Sequence, residues 1–199
     1  GNFLADETNE ILSVRLEHSE NAVIPGFYGA KEDGTVHTFS RGGSDITGSI
    51  AARAVHATIY ENWTDVSGFL VSDPRIIDNP AVIHTITYKE LRELSYMGAG
   101  VLHEDAIFPV RKEGIPINIK NTNAPDDPGT MIVESTCHQP EYTITGIAGL
   151  RDFVAVNVDK DMMNSEVGFC RKVLQAFEDN DISIEHMPSG IDTMTVFVQ

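Results

Sequence analysis

The 199-residue sequence predicts an α/β protein, a mainly parallel sheet flanked by helices, followed by a smaller and incomplete ferredoxin-like unit. Three observations carry that prediction. Between residues 35 and 63 a strand pattern, a glycine-rich loop, an Ala- and Ile-rich helix pattern and a second strand pattern follow one another. Residues 87–97 (TYKELRELSYM) space Leu91, Leu94 and Met97 by three, which is a helical face. Beyond residue 143, residues 153–158, 166–179, 182–186 and 193–198 read β-α-β-β, a ferredoxin-like series short of its last helix and strand.

In chain order, residues 6–19 place Ile11, Leu12, Val14 and Leu16 among charges and predict a short amphipathic helix capped by Asp6 or Thr8. Ala22-Val23-Ile24 reads as a buried strand that Pro25-Gly26 stops. Gly26 to Gly29 is a glycine-bracketed turn, and Asp33-Gly34 beside 35–39 predicts one arm of a hairpin. A helix over 46–57 takes Ser44 or Asp45 as its N-cap. Residues 59–63 form a strand with β-branched and aromatic bias, and 66–80, broken by Gly, Pro and Asp, form a loop. A second helix is expected over 103–112. Strands over 115–120 and 131–133 flank a Pro-, Asp- and Gly-rich turn at 124–129. Residues 143–147 alternate like a further strand. The composition turns polar near 133–141, which divides the chain into domains 1–136 and 137–199.

Charge and cysteine usage narrow the classes of partner. Asp plus Glu number 30 against 14 Lys plus Arg, a net charge of −16. Such a surface repels phosphate backbones and anionic lipid, so neither nucleic acid nor membrane is an expected partner. A small anionic ligand then needs local cations, helix N-termini or a metal ion to hold it. The two cysteines, Cys137 and Cys170, form no CxxC or Cys/His cluster, and the histidines show no metal-ligand spacing, so no metal site is expected. A reducing cytoplasm is the expected location. The opening Gly1-Asn2-Phe3 lacks a start Met and reads as the interior of a longer chain.

Three clusters carry chemistry. In Arg41-Gly42-Gly43-Ser44-Asp45, adjacent glycines let the backbone approach a ligand, the N–H groups of the following helix start attract anions, and Arg41 can grip a carboxylate with two parallel hydrogen bonds. The alternative is a plain tight turn with Asp45 as a cap. Trp63-Thr64-Asp65-Val66-Ser67-Gly68 ends a predicted strand, where open α/β sheets place ligands. There Asp65 suits a ribose or base, or else is a turn residue. In Ser72-Asp73-Pro74-Arg75, Arg75 is either a phosphate ligand or a surface arginine. His103, near a helix start, reads as structural.

Taken together, the run GFYG, SRGGSD, WTDVSGF, SDPR, GAGVLH, IPINIKNT, PGTMI from Pro25 to Ile132 resembles the second half of the aspartate kinase catalytic domain, which has the amino acid kinase fold. The segment from Thr143 onward resembles the first of that family's paired ACT regulatory domains. The resemblance implies transfer of the γ-phosphoryl group of ATP to the side-chain carboxylate of L-aspartate, giving 4-phospho-L-aspartate on the way to lysine, threonine and methionine. It assigns a substrate carboxylate to Arg41, with Gly42, Gly43 and Ser44 shaping the pocket and Asp45 organising the reacting centre. It gives Thr64, Asp65, Leu70 and Arg75 to the nucleotide, with Mg²⁺ arriving on ATP. It gives Met163, Asn164, Ser165, Gly168, Ser183, Ile184 and Glu185 to an effector, lysine or threonine, and implies homo-oligomers, dimers through ACT units. Three departures stand out. The family's amino-terminal Lys-Phe-Gly-Gly phosphate loop and an early glutamate are absent, so these 199 residues alone are expected to be inactive. Gly100 stands where a nucleotide-touching lysine is usual, and Leu70 where tyrosine is frequent. The alternative readings are a glutamate or N-acetylglutamate kinase of the same fold, or a regulatory amino-acid-binding chain.

Overall fold

A computed structural model of the chain describes residues 6–39, 42–98, 102, 106–136 and 143–199. Its contacts divide it into two units, Gly1–Gly149 and Leu150–Gln199.

The first unit begins with helix α1 (Asp6–Leu16) and a hairpin of β1 (Tyr28–Ala30) and β2 (Val36–Thr38). Helix α2 (Gly43–Ala54) leads into β3 (Tyr60–Thr64); then come β4 (Thr85–Thr87), α3 (Tyr88–Tyr96), α4 (Ile107–Lys112), β5 (Ile117–Asn121) and β6 (Thr130–Val133). The sheet order is β3-β5-β6-β4. The β3/β5 and β4/β6 pairs are parallel, and the short 122–129 connection makes β5/β6 antiparallel. Ile86, Leu91, Val110, Ile117, Ile119 and Ile132, all at 0% exposure, fill the space between sheet and helices. The start of α3 is fixed by a capping box: the Thr87 hydroxyl accepts from the Glu90 N–H, and Glu90 accepts from the Thr87 N–H.

The second unit pairs β7 (Val154–Asp159) antiparallel with β8 (Thr193–Val198), with a 3₁₀ turn (Met163–Ser165) and helix α5 (Phe169–Glu178) between them. Met163, Met194, Val196 and Val198 are its buried centre, and Phe169, Val173, Leu174, Phe177 and Ile184 pack against it. The helical stripe of 166–179 is what closes over β8.

Several expectations change. Ala22-Val23-Ile24 is irregular, because no partner is offered: Val23 is 99% exposed. Residues 143–147 alternate like a strand but pair with no described strand. They are held instead by the Ile147 N–H donating to Val71 O (2.7 Å) and the Thr145 hydroxyl donating to Glu90 Oε1 (2.6 Å). Those anchors keep them in the first unit, so the contact division falls at Gly149 rather than at the expected 136/137. Residues 182–186 contribute an isolated bridge, His186 to Phe197, rather than a strand. The cap of α2 is Gly42, in the left-handed region at φ 63°, rather than Ser44 or Asp45, so the helix begins before the predicted residue 46. The first residues of the predicted 103–112 helix lie outside the described residues, as does Cys137.

Candidate active site

The amino-terminal end of α2 is shaped by its glycines. Gly42 makes the left-handed turn that a side chain resists. Gly43 is buried against the base of the hairpin, where a Cβ would lie 3.0 Å from Phe27 Cα and 3.1 Å from Phe39 Cβ. The hairpin base is itself closed by the Phe39 N–H donating to Phe27 O at 2.8 Å. Among the described residues no side chain caps the helix end, which leaves its first N–H groups open to an anion. Arg41 lies outside the described residues.

One turn into the helix, Asp45 meets β3. The Asn62 amide donates to Asp45 Oδ1 (3.0 Å) and to the Tyr60 hydroxyl (3.0 Å), and that hydroxyl donates to the Asp45 backbone carbonyl (3.2 Å). The Ser44 hydroxyl reaches the same Oδ1 at 3.5 Å. Burial pushes the Tyr60 phenol up to about 12, so it is a donor at neutral pH. Gly48 makes room for the ring, since a Cβ there would lie 2.6 Å from the Tyr60 hydroxyl. The helix N-terminus is thereby fastened to the strand whose carboxyl end carries Thr64 and Asp65.

Beyond β3 the loop is tied to the neighbouring strand. The Thr122 N–H and hydroxyl donate to Thr64 O (2.8 and 2.9 Å). The Ser67 hydroxyl donates to Asp127 Oδ2 (2.6 Å) and accepts from the Asn121 amide (2.9 Å). Lys120 donates to Asp127 O (2.7 Å) and lies 5.4 Å from the centre of the Trp63 ring, a cation–π pair beside the half-exposed indole. The fully buried Thr130 hydroxyl donates to Ile83 O (2.6 Å) and accepts from the Phe69 N–H (2.8 Å), pinning the loop from below. Thr64 and Asp65 are thus held at the end of the sheet, with the Thr64 hydroxyl 3.3 Å from Asp65 Oδ1.

Leu70 is half-buried and bridges to Val82 across the loop. Arg75 projects into solvent, its side chain 86% exposed, and its guanidinium grips Asp73 through Nη2 (2.6 Å) and Nε (3.0 and 3.1 Å). Hydrogen bonding to Asp73 raises the Arg75 pKa further above its ordinary value.

In the second unit, Met163 is buried, and the Asn164 N–H donates to Ile191 O (3.2 Å) just before β8. Gly168 caps α5 at φ 80°. Ile184 joins the same apolar cluster as Met163, while the Glu185 N–H donates to Phe197 O (2.9 Å) near the far end of β8. Ser183 is exposed. The two expected effector segments therefore share a core but lie along different ends of one strand.

The described residues of the first two clusters both adjoin β3: Asp45 is bonded to Asn62 and Tyr60, and Thr64 and Asp65 follow at the strand's carboxyl end. Asn62, Tyr60, Lys120, Asn121 and Asp127 join them and were not anticipated. The strand period shows that Asn62 faces inward but not which helix residue it meets. Among the described residues no group of three or more His, Cys, Asp or Glu side chains is placed to hold a metal ion, and no helix is long and apolar enough to cross a membrane. An open, mainly apolar cleft of about 390 Å³, lined by residues that include Leu16, Ile24, Ala51 and Val55, reaches Tyr60 as well.

Comparisons with known proteins fit this geometry. Residues 4–121 match the family model described as the amino acid kinase family. The chain is 45% identical over 186 residues to Aspartokinase 3 of Bacillus subtilis, covering 93% of this chain and 41% of that protein. It superposes on a crystal structure of Clostridium acetobutylicum aspartate kinase with a TM-score of 0.90 and 56% identity, covering 99% of this chain and 46% of that one. E. coli aspartokinase III, solved with aspartate and ADP in an R-state, matches at a TM-score of 0.68 and 28% identity over 87% of this chain and 38% of that one. The same enzyme solved with lysine and aspartate in a T-state matches at 0.64 and 26%, over 87% and 39%. The chain thus spans less than half the length of each of these proteins.

Proposed function

Because the chain belongs to the amino acid kinase family, we propose that it supplies the carboxy-terminal part of the catalytic domain of an aspartate kinase, together with part of a first ACT regulatory unit. The complete enzyme phosphorylates the side-chain carboxylate of L-aspartate. A carboxylate oxygen attacks the γ-phosphorus of ATP, the bond from that phosphorus to the β,γ-bridging oxygen breaks, and ADP leaves beside 4-phospho-L-aspartate. Nucleophile and phosphate are both anionic, so the protein's work is positioning and charge neutralisation.

The observation that carries this reading is the fastening of the α2 N-terminus to the carboxyl end of β3 through Asp45, Asn62 and Tyr60. It sets an uncapped helix end, suited to a carboxylate, beside the strand end where α/β sheets hold nucleotides. Arg41 and Ser44, with the backbone of Gly42 and Gly43, take the carboxylate end of aspartate. Asp45 orders the polar groups at the reacting centre. Thr64 and Asp65 take the nucleoside, with Leu70 and the Asp73-paired Arg75 lining its site. Mg²⁺ arrives on the nucleotide phosphates. Met163 to Ser165, Gly168 and Ser183 to Glu185 take an amino-acid effector, lysine or threonine, where two such units pair in a homo-oligomer.

The test is a carboxylate panel. The complete gene product is given ATP with aspartate, glutamate or N-acetylglutamate, and the acyl phosphate is trapped with hydroxylamine. Aspartate alone should give hydroxamate at an appreciable rate. A preference for glutamate or its N-acetyl derivative would overturn the assignment.

A further inference from the structure

We infer that Asn62 is a positioning residue for Asp45, fixing one carboxylate oxygen so that the other faces the reacting groups; this rests on the reading of Asp45 as the acidic residue at the reacting centre. Asn62 is 8% exposed and sits in β3 between the exposed Glu61 and Trp63, so its side chain is turned inward toward α2. Both N–H bonds of its amide are used, one to Asp45 Oδ1 and one to the Tyr60 hydroxyl, each at 3.0 Å. Tyr60 completes the triangle by donating to the Asp45 backbone carbonyl. Side chain and main chain of Asp45 are therefore held by adjoining groups of one strand. The Ser44 contact to Oδ1 is longer, at 3.5 Å, and exposed, so Asn62 sets the rotamer. Oδ2 has no hydrogen-bond partner among the described residues and is the oxygen left for the ligand side.

The choice of side chain follows from the chemistry. A buried carboxylate at position 62 would repel Asp45, and a lysine would bring a charge with a long flexible stem into a closed space. An aliphatic residue would pack in the strand but offer Oδ1 nothing. An amide supplies two neutral donors in one plane, which matches the two acceptors present. The arrangement differs from a purely structural buried amide in that one of its two partners is a carboxylate at a helix end open to ligand.

A double-mutant cycle in the complete gene product tests the coupling. Steady-state rates with ATP and aspartate are measured for the unsubstituted protein, Asn62→Leu, Asp45→Asn and the pair. If Asn62 acts through Asp45, Asn62→Leu lowers kcat about tenfold with KM for ATP nearly unchanged, and in the Asp45→Asn background costs less than about twofold. An equal loss in both backgrounds would show a structural role and overturn the inference, as would full kcat in Asn62→Leu. Full kcat in Asp45→Asn would instead remove the reading of Asp45 beneath it, an outcome visible in that single variant. Should Asn62→Leu fail to fold, Asn62→Ser, too short to reach Asp45, takes its place with the same expectations.

Discussion

The hydroxyl of Ser67 donates to Oδ2 of Asp127 at 2.6 Å, tying the loop after β3 to the loop after β5. Both loops leave the same edge of the sheet, and Asn121 closes the network from the strand between them. Removing that hydroxyl in Ser67→Ala should loosen the loop that follows Thr64 and carries Asp65. The complete enzyme should then show a KM for ATP raised about three- to tenfold, with kcat and the KM for aspartate little changed. Initial-rate measurements over both substrates check this.

Thr130 joins two backbone groups that no other described residue serves, the Ile83 carbonyl and the Phe69 N–H. Thr130→Val keeps the shape and leaves both buried and unpaired. It should lower stability by about 2–3 kcal/mol, read as a shift in urea midpoint at constant slope.

Gly129 turns into β6 at φ 73°, and a Cβ there would lie 1.9 Å from the Ile119 carbonyl oxygen. That neighbour is backbone inside the central strand and cannot move aside. Gly129→Ala should cost about 3 kcal/mol or more, seen as loss of soluble folded protein or a steep drop in melting temperature. Gly114, also at positive φ but with open space around it, should tolerate alanine far better.

Glu90 carries a pH response. Its carboxylate accepts from the Thr145 hydroxyl and from both the hydroxyl and N–H of Thr87, and the Thr145 bond does most to hold its pKa below the ordinary 4.5. A depressed folded-state pKa gives stability that is present above the unfolded value and lost as pH falls through the folded one. The strap over 143–147 should therefore loosen below the usual carboxylate range. Hydrogen exchange at the Ile147 amide, bonded to Val71 O, reports it, and Glu90→Gln should flatten the response.

At the other end of the scale, burial pushes both Tyr60 and Tyr88 up to about 12 from 10.0. The folded chain then keeps phenolic protons that the unfolded chain releases, so stability holds up to pH about 10 and falls between about 10 and 12. Urea midpoints across that range should drop, and less steeply in Tyr60→Phe.

The sequence was legible where local pattern and tertiary demand agreed. Residues 59–63 gave β3 within one position, and the 87–97 period gave α3, whose cap at Thr87 the period does not reveal. It misled where a pattern lacked a partner: 143–147 alternate like a strand, but the chain there is held by Glu90 and Val71 instead of a neighbouring strand. Ser44 and Asp45 look like better caps than Gly42, yet the helix already begins at Gly43, packed against Phe27 and Phe39, with Gly42 at φ 63° before it. At the site, the glycine-rich loop and Thr64-Asp65 stood out by residue type. Asn62, Lys120 and Asp127 did not, because their roles come from contacts between distant segments that no local spacing encodes.

Aspartate's carboxylate goes to the α2 end and the nucleotide to the β3 end in the proposed division of labour. Its most direct test is a kinetic split in the complete gene product between Arg41→Lys and Asp65→Asn. Arg41→Lys should raise the KM for aspartate by about tenfold or more while leaving that for ATP within about twofold, and Asp65→Asn should do the reverse. If Arg41→Lys moved the KM for ATP and spared that for aspartate, the placement of both substrates would be contradicted.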